Sequence, residues 1–222
     1  MAEAIARVRI QLEEAFGRVL GSRDIARWML LLGYFFEVAI TYGASFLTNL
    51  GNALKSGRLL DLVNYLIPVI ATSIREGRTE ARESGVLALP VSIIRMVPAQ
   101  FQSRLGEVGY TTLDLIDDKR FAAVWSHFKG HTAAVTLIDT IVFVKPPNWQ
   151  SADDIFMCLH EIKHVFQYQD LGVDIFVADY MNDKVNGIDP VRLEIDADQF
   201  ACAIFPHGHP VYISGCTPPS AP

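Results

Sequence analysis

The sequence predicts an α+β domain over residues 85–205, behind an all-helical N-terminal region over 1–84 and ahead of a proline- and glycine-rich tail over 206–222. Three observations predict it. Up to Ser84 the apolar residues recur at helical spacing with few turn signals. From Gly85 to Pro147 short β-rich runs alternate with helical ones, and from Ser151 to Phe205 the pattern is helical again. Short strands interspersed with helices, followed by a purely helical run, give an α+β arrangement.

The N-terminal region opens with an amphipathic helix over 1–24, mixed in charge and unlike a cleavable signal peptide. Residues 28–50 are the most apolar stretch and have the length of a membrane span. Glu37 lies near its middle, at a cost of roughly 2.5–3.5 kcal/mol on insertion scales. A second apolar run, 59–74, is broken by Asp61, Asn64 and Pro68. The expectation is a buried helical pair; a membrane-seated hairpin over 28–74 is the alternative.

In the domain, VLALPVSIIRMVP (86–98) reads as extended and proline-bounded, AQFQSRLGEV (99–108) as helical, GYTTLDLI (109–116) as a strand and DKRFAAVWSHF (118–128) as helical. TAAVTLIDTIVFVKPP (132–147) divides near Ile138-Asp139 into a predicted β-hairpin. Ser151 opens a long helix, with Asp153 and Asp154 favourable in its first turn and Gly172 at its end. A shorter helix follows over 173–183, and Asp189-Pro190 reads as the cap and first residue of a last helix through Phe205.

Composition narrows the function. Half the residues are apolar and a fifth are charged, as in a globular chain, and the net charge is -6. Without a basic excess to replace phosphate counterions, a nucleic-acid partner is excluded. Three cysteines, Cys158, Cys202 and Cys216, are odd in number and contain no CxxC pair. They read as reduced thiols, so the expected location is cytoplasmic.

The chemistry is concentrated in HEIKH, residues 160–164. Residues i and i+4 share a helix face, so His160 and His164 can point at one ion. Neutral imidazoles suit zinc, which in hydrolytic sites takes three protein ligands and leaves a position for water. Glu161 follows the first histidine, where its carboxylate would reach that water as a general base. A bare HExxH also occurs by chance on solvated helices, but Leu159, Ile162, Val165 and Phe166 make this one an interior helix. The later helix RLEIDADQFA offers Glu194 as third ligand, and Asp198, one turn on, as acceptor for the outer N–H of a ligating histidine. Asp196 reads as part of that helix's polar face.

HEIKH with a later Glu-x-x-x-Asp resembles the gluzincin metallopeptidases. More narrowly, TAAVTLIDTIVF, HVFQYQDLGVDIFVADY and EIDADQFA are similar to the bacterial metallopeptidase-like domain of extracellular contractile injection system loci, over about residues 86–205. The resemblance implies a zincin-like fold, His160, His164 and Glu194 as zinc ligands, Glu161 as base and Asp198 orienting His160. It also implies a sheet edge that pairs with extended peptide; Ala133, Ala134 and Val135 stand in that position, and the small side chains of Ala133 and Ala134 admit a backbone. Lys163 departs from the pattern, which is usually uncharged there, and near the ion it would weaken binding. Tyr168, Tyr180, His207, His209 and Tyr212 are candidates for stabilising an oxyanion. The expected activity is zinc-dependent hydrolysis of peptide or protein. The alternatives are a metal-binding, non-catalytic assembly module and a membrane-seated peptidase.

Overall fold

The computed structural model describes residues 59–116, 133–186, 188 and 190–205. The predicted helices over 1–58 and 118–128, the tail, and most of the proposed membrane hairpin lie outside these residues. The chain divides into two compact units, 1–69 and 70–222, and the division falls inside the first described helix, α1 (Leu59–Glu83). Among the described residues no helix is long and apolar enough to cross a membrane.

The second unit is mixed α+β, built on a small four-stranded mixed sheet. Its strands are β1 (Leu87–Ala88), β2 (Gly109–Thr112), β3 (Ala134–Leu137) and β4 (Thr140–Phe143), in the order β1-β2-β4-β3. β2 runs parallel to β4, and both outer strands are antiparallel to their neighbours. Gly109 is required where β1 crosses: a Cβ there would sit 2.2 Å from Val86 Cγ1 and 2.8 Å from the Leu87 carbonyl oxygen.

The hairpin turns at Ile138-Asp139, as the sequence predicts, and Ile138 takes φ 65°. That backbone is unfavourable for a β-branched residue. The turn is held from α1, where Arg78 makes two hydrogen bonds and Arg82 one to the Asp139 carboxylate. Burial works against the charged form of Asp139, but the Arg78 guanidinium holds its carboxyl below the usual range. The Asp139 carbonyl also accepts from Gly109 N–H, tying the turn to the start of β2.

Alternation along the strands sorts side chains between two clusters. Ala134, Ile141 and Phe143 face Leu159, Ile162, Val165 and Phe166 of the long helix α4 (Ala152–Leu171). Leu137 and Val142 face the opposite way, onto Ala81, Leu113 and Ile116. The helix α4 therefore lies on one face of the sheet, and it also packs extensively against α6 (Arg192–Ile204). Nearly every α4 side chain from Phe156 to Tyr168 is buried, as befits a helix enclosed on all sides. Gly172 ends α4 with φ 75°, its N–H bonded to the Tyr168 carbonyl, and α5 (Val173–Val185) begins at once.

Several local expectations are corrected. Residues 86–98 are extended only at β1; Pro90 is then the N-cap of α2 (Val91–Met96), its carbonyl accepting from Ile93 and Ile94 N–H. The helical reading of 99–108 becomes a short α3 (Ala99–Gln102) and one 3₁₀ turn. The strand read over 109–116 stops at Thr112 and passes into a 3₁₀ turn that buries Leu113. The last helix is capped by Val191, not Asp189-Pro190, and buried Asp183 takes over the capping role by accepting from Arg192 N–H. Cys158 is a buried free thiol, but Cys202 is disulfide-bonded, so the reading of three reduced thiols is overturned there.

Candidate metal centre

The site lies where α4 meets α6. His160 and His164 stand one turn apart on α4, and both are buried. Glu194 comes from the first turn of α6. The two imidazole Nε2 atoms are 3.1 Å apart, and Glu194 Oε2 is 3.2 Å from that of His160 and 3.5 Å from that of His164. A tetrahedral ion about 2.0–2.1 Å from each ligand separates neighbouring ligand atoms by about 3.3 Å. The triangle fits that requirement, and these three residues can hold a metal ion.

The outer nitrogens determine which lone pairs converge. His160 Nδ1 is 2.8 Å from Asp198 Oδ1, and His164 Nδ1 is 2.7 Å from Gln167 Oε1. Both partners are acceptors, so each Nδ1 carries hydrogen, and in the neutral imidazole each Nε2 presents a lone pair. Two such lone pairs and a carboxylate at these distances repel one another unless a cation lies among them. The same field acts on protons. Burial disfavours a charged His160, yet hydrogen bonds to Asp198 and Glu194 raise its pKa to about 10. His164 is raised in the same way against its burial, chiefly by Glu194. Burial likewise opposes ionisation of Glu194, but the two histidines hold it well below the ordinary carboxylate range.

Glu161 is buried at 4 % exposure beside this cluster, and its carboxylate accepts a 2.7 Å hydrogen bond from Thr136 on β3. It is not one of the three converging residues. Lys163 makes a 3.0 Å ion pair with Asp196 on α6, so its charge is matched. Of the oxyanion candidates, Tyr168 is buried and stacked on Phe176 with centroids 4.0 Å apart, and Tyr180 is half-buried next in the same stack. Burial pushes the Tyr168 hydroxyl pKa up. His207, His209 and Tyr212 lie outside the described residues.

On β3, Ala133 is exposed just before the strand, Ala134 is buried and Val135 is half-buried. Val144 N–H bonds to the Ala133 carbonyl, which sets the phase of the antiparallel ladder. Val135 and Leu137 therefore spend their peptide groups on β4, while Ala134 and Thr136 turn theirs to the outer side of the sheet.

Two residues that orient the site were not assigned these roles from sequence. Gln167 lies three residues after His164, hence on the same helix face, and a buried glutamine at that offset is the available signal. Thr136 gave no signal, because its contact with Glu161 spans 25 positions. No family model, no curated protein and no solved structure matches this chain.

Proposed function

We propose that the protein is a zinc-dependent peptidase of the gluzincin type, with a zincin-like arrangement of sheet, active-site helix and glutamate helix. The observation that carries this reading is the convergence of two imidazole Nε2 atoms and the Glu194 carboxylate within 3.1–3.5 Å of one another. Two histidines and a glutamate suit zinc better than magnesium or calcium, which prefer all-oxygen sets. When bound, zinc supplies Lewis acidity toward a carbonyl oxygen and toward water.

The chain's own residues account for the rest. Asp198 and Gln167 fix the imidazoles with Nε2 facing inward. Glu161, next to His160 and outside the ligand set, takes the proton of the attacking water and passes it to the leaving amine. Thr136 holds the Glu161 carboxylate while turning its own peptide groups outward. The substrate role that the resemblance implies for Ala133, Ala134 and Val135 belongs to this reading, with β3 also carrying the Thr136 contact to the base.

Metal analysis of the purified chain, coupled to a peptide-library digestion, tests the proposal. About one zinc per chain together with cleavage sensitive to a chelator is the expected result. Stoichiometric zinc without cleavage of any library member would favour the non-catalytic assembly module instead.

A further inference from the structure

A short polar chain leads from the ligand His164 to the solvent side of α6. Gln167 Oε1 accepts from His164 Nδ1 at 2.7 Å. Gln167 Nε2 donates to the Leu193 carbonyl and to Asp196 Oδ2, each at 2.9 Å. Asp196 Oδ2 is in turn 3.0 Å from Lys163 Nζ, which also stands 5.8 Å over the Phe200 ring. We infer that Lys163, Asp196 and Gln167 are a positioning relay for His164, so that the lysine strengthens metal binding instead of opposing it. The inference rests on the metal site proposed above and is independent of peptidase activity.

The direction of each link is forced. Gln167 is 5 % exposed, and its amide nitrogen has two acceptors, so its oxygen must face the histidine. A flipped amide would set an N–H donor against Nδ1–H and lose both bonds to α6. The anchoring residues Leu193 and Asp196 bracket Glu194, so the bonds that orient His164 also fix the third ligand against it. Lys163 and Gln167 are one turn apart on α4 and reach the same Asp196. The Asp196 side chain is 50 % exposed, where water competes for it, and Lys163 is the group that holds it toward Gln167. An unpaired lysine beside a dication would cost affinity by repulsion; one neutralised by Asp196 leaves little net field. An ordinary exposed ion pair would be worth little and would leave metal affinity alone.

The test is titration of the full chain with Zn²⁺ against a competing chelator and with Co²⁺ by visible absorption. The variants are Gln167→Leu, Gln167→Glu, Asp196→Ala, Lys163→Met and the Lys163→Met/Asp196→Ala pair. Gln167→Leu is expected to lower Zn²⁺ affinity about 10- to 100-fold and to shift the Co²⁺ bands. Gln167→Glu, which keeps an acceptor opposite Nδ1–H, recovers part of that loss. Lys163→Met and Asp196→Ala each lower affinity several-fold, and the double variant loses no more than Asp196→Ala alone. These two side chains are on the surface side of the relay, so they remain informative should Gln167→Leu fold poorly. Tighter metal binding in Lys163→Met, or Gln167→Leu indistinguishable from the parent in affinity and spectrum, overturns the relay while leaving the metal site standing. A parent chain that takes up neither metal overturns the site, and the relay with it.

Discussion

Thr136 on β3 donates its hydroxyl to the Glu161 carboxylate on α4 across 2.7 Å, and the same hydroxyl oxygen lies 2.9 Å from the Glu161 main-chain carbonyl. A single O–H serves both acceptors, so the side chain clamps one residue by its head and its backbone. The consequence is that β3 and the acid beside the candidate metal centre are mechanically one piece. A carboxylate at 4 % exposure needs such a donor, since burial without one is costly.

Replacing Thr136 by Val keeps the shape and removes the donor. Stability is expected to fall by about 1–3 kcal/mol, the cost of leaving a buried acceptor unsatisfied. Zinc content should not change, because no ligand is touched, while peptide hydrolysis should fall in kcat more than in KM. Thr136→Ser, which keeps the hydroxyl, should behave like the parent. Steady-state kinetics beside metal analysis checks this, and loss of zinc in Thr136→Val would contradict it.

The ligand set makes a sharper demand. His160→Ala, His164→Ala and Glu194→Ala each remove one corner of the triangle and should abolish or greatly weaken stoichiometric zinc binding. Asp198→Asn keeps an acceptor near His160 Nδ1 and should cost only about 10- to 100-fold. Full zinc content in Glu194→Ala would mean that another carboxylate is the third ligand, with Asp198 the first to try.

Acid stability should report the hairpin turn. The folded pKa of Asp139 is lowered because Arg78 bonds outweigh the burial that opposes ionisation. A depressed carboxylate stabilises the fold fully above its unfolded pKa, about 3.9, and loses that contribution as pH falls through the folded value. Asp139→Asn should therefore be less stable than the parent at neutral pH, by about 1–3 kcal/mol. The difference should shrink as pH drops below 4. Denaturant unfolding at several pH values measures it, and a gap that stays constant into acid would rule the clamp out.

Much of this architecture was legible because its signals are local. The i, i+4 histidines, the apolar residues around them and the Glu194–Asp198 spacing are all properties of single helices. The Ile138-Asp139 turn lies between two β-rich runs and needs no distant contact to be read. The failures have a common cause in tertiary partners. Nothing near Asp189 reveals that Asp183, six positions earlier, returns to cap the last helix. Pro90 bounds a strand or starts a helix equally well in sequence, and burial of Ile93 in the core favours the helix. Lys163 looked like a misplaced charge until α6 brought Asp196 within 3.0 Å. Periodicity yields the faces of elements; it does not yield which polar side chain across the interface each buried group will find.

The decisive variant is Glu161→Gln. It changes one oxygen to nitrogen, so packing around a 4 % exposed side chain is preserved, and the remaining oxygen can still accept from Thr136. The three proposed ligands are untouched, so zinc content and thermal stability are expected to stay close to those of the parent. The amide, however, cannot take up a proton from water, and peptide hydrolysis should fall by about 10²- to 10⁴-fold, the usual cost of a lost general base. The combination separates catalysis from structure, because a residue needed only for folding or metal binding would lose zinc or stability along with rate. A library of peptides of varied sequence is the right assay, since the side-chain preference is set by contacts beyond the metal centre. If Glu161→Gln cleaves as fast as the parent, Glu161 is not the base; if the zinc-loaded parent cleaves nothing and Glu161→Gln retains the cellular role, the peptidase reading gives way to the assembly module.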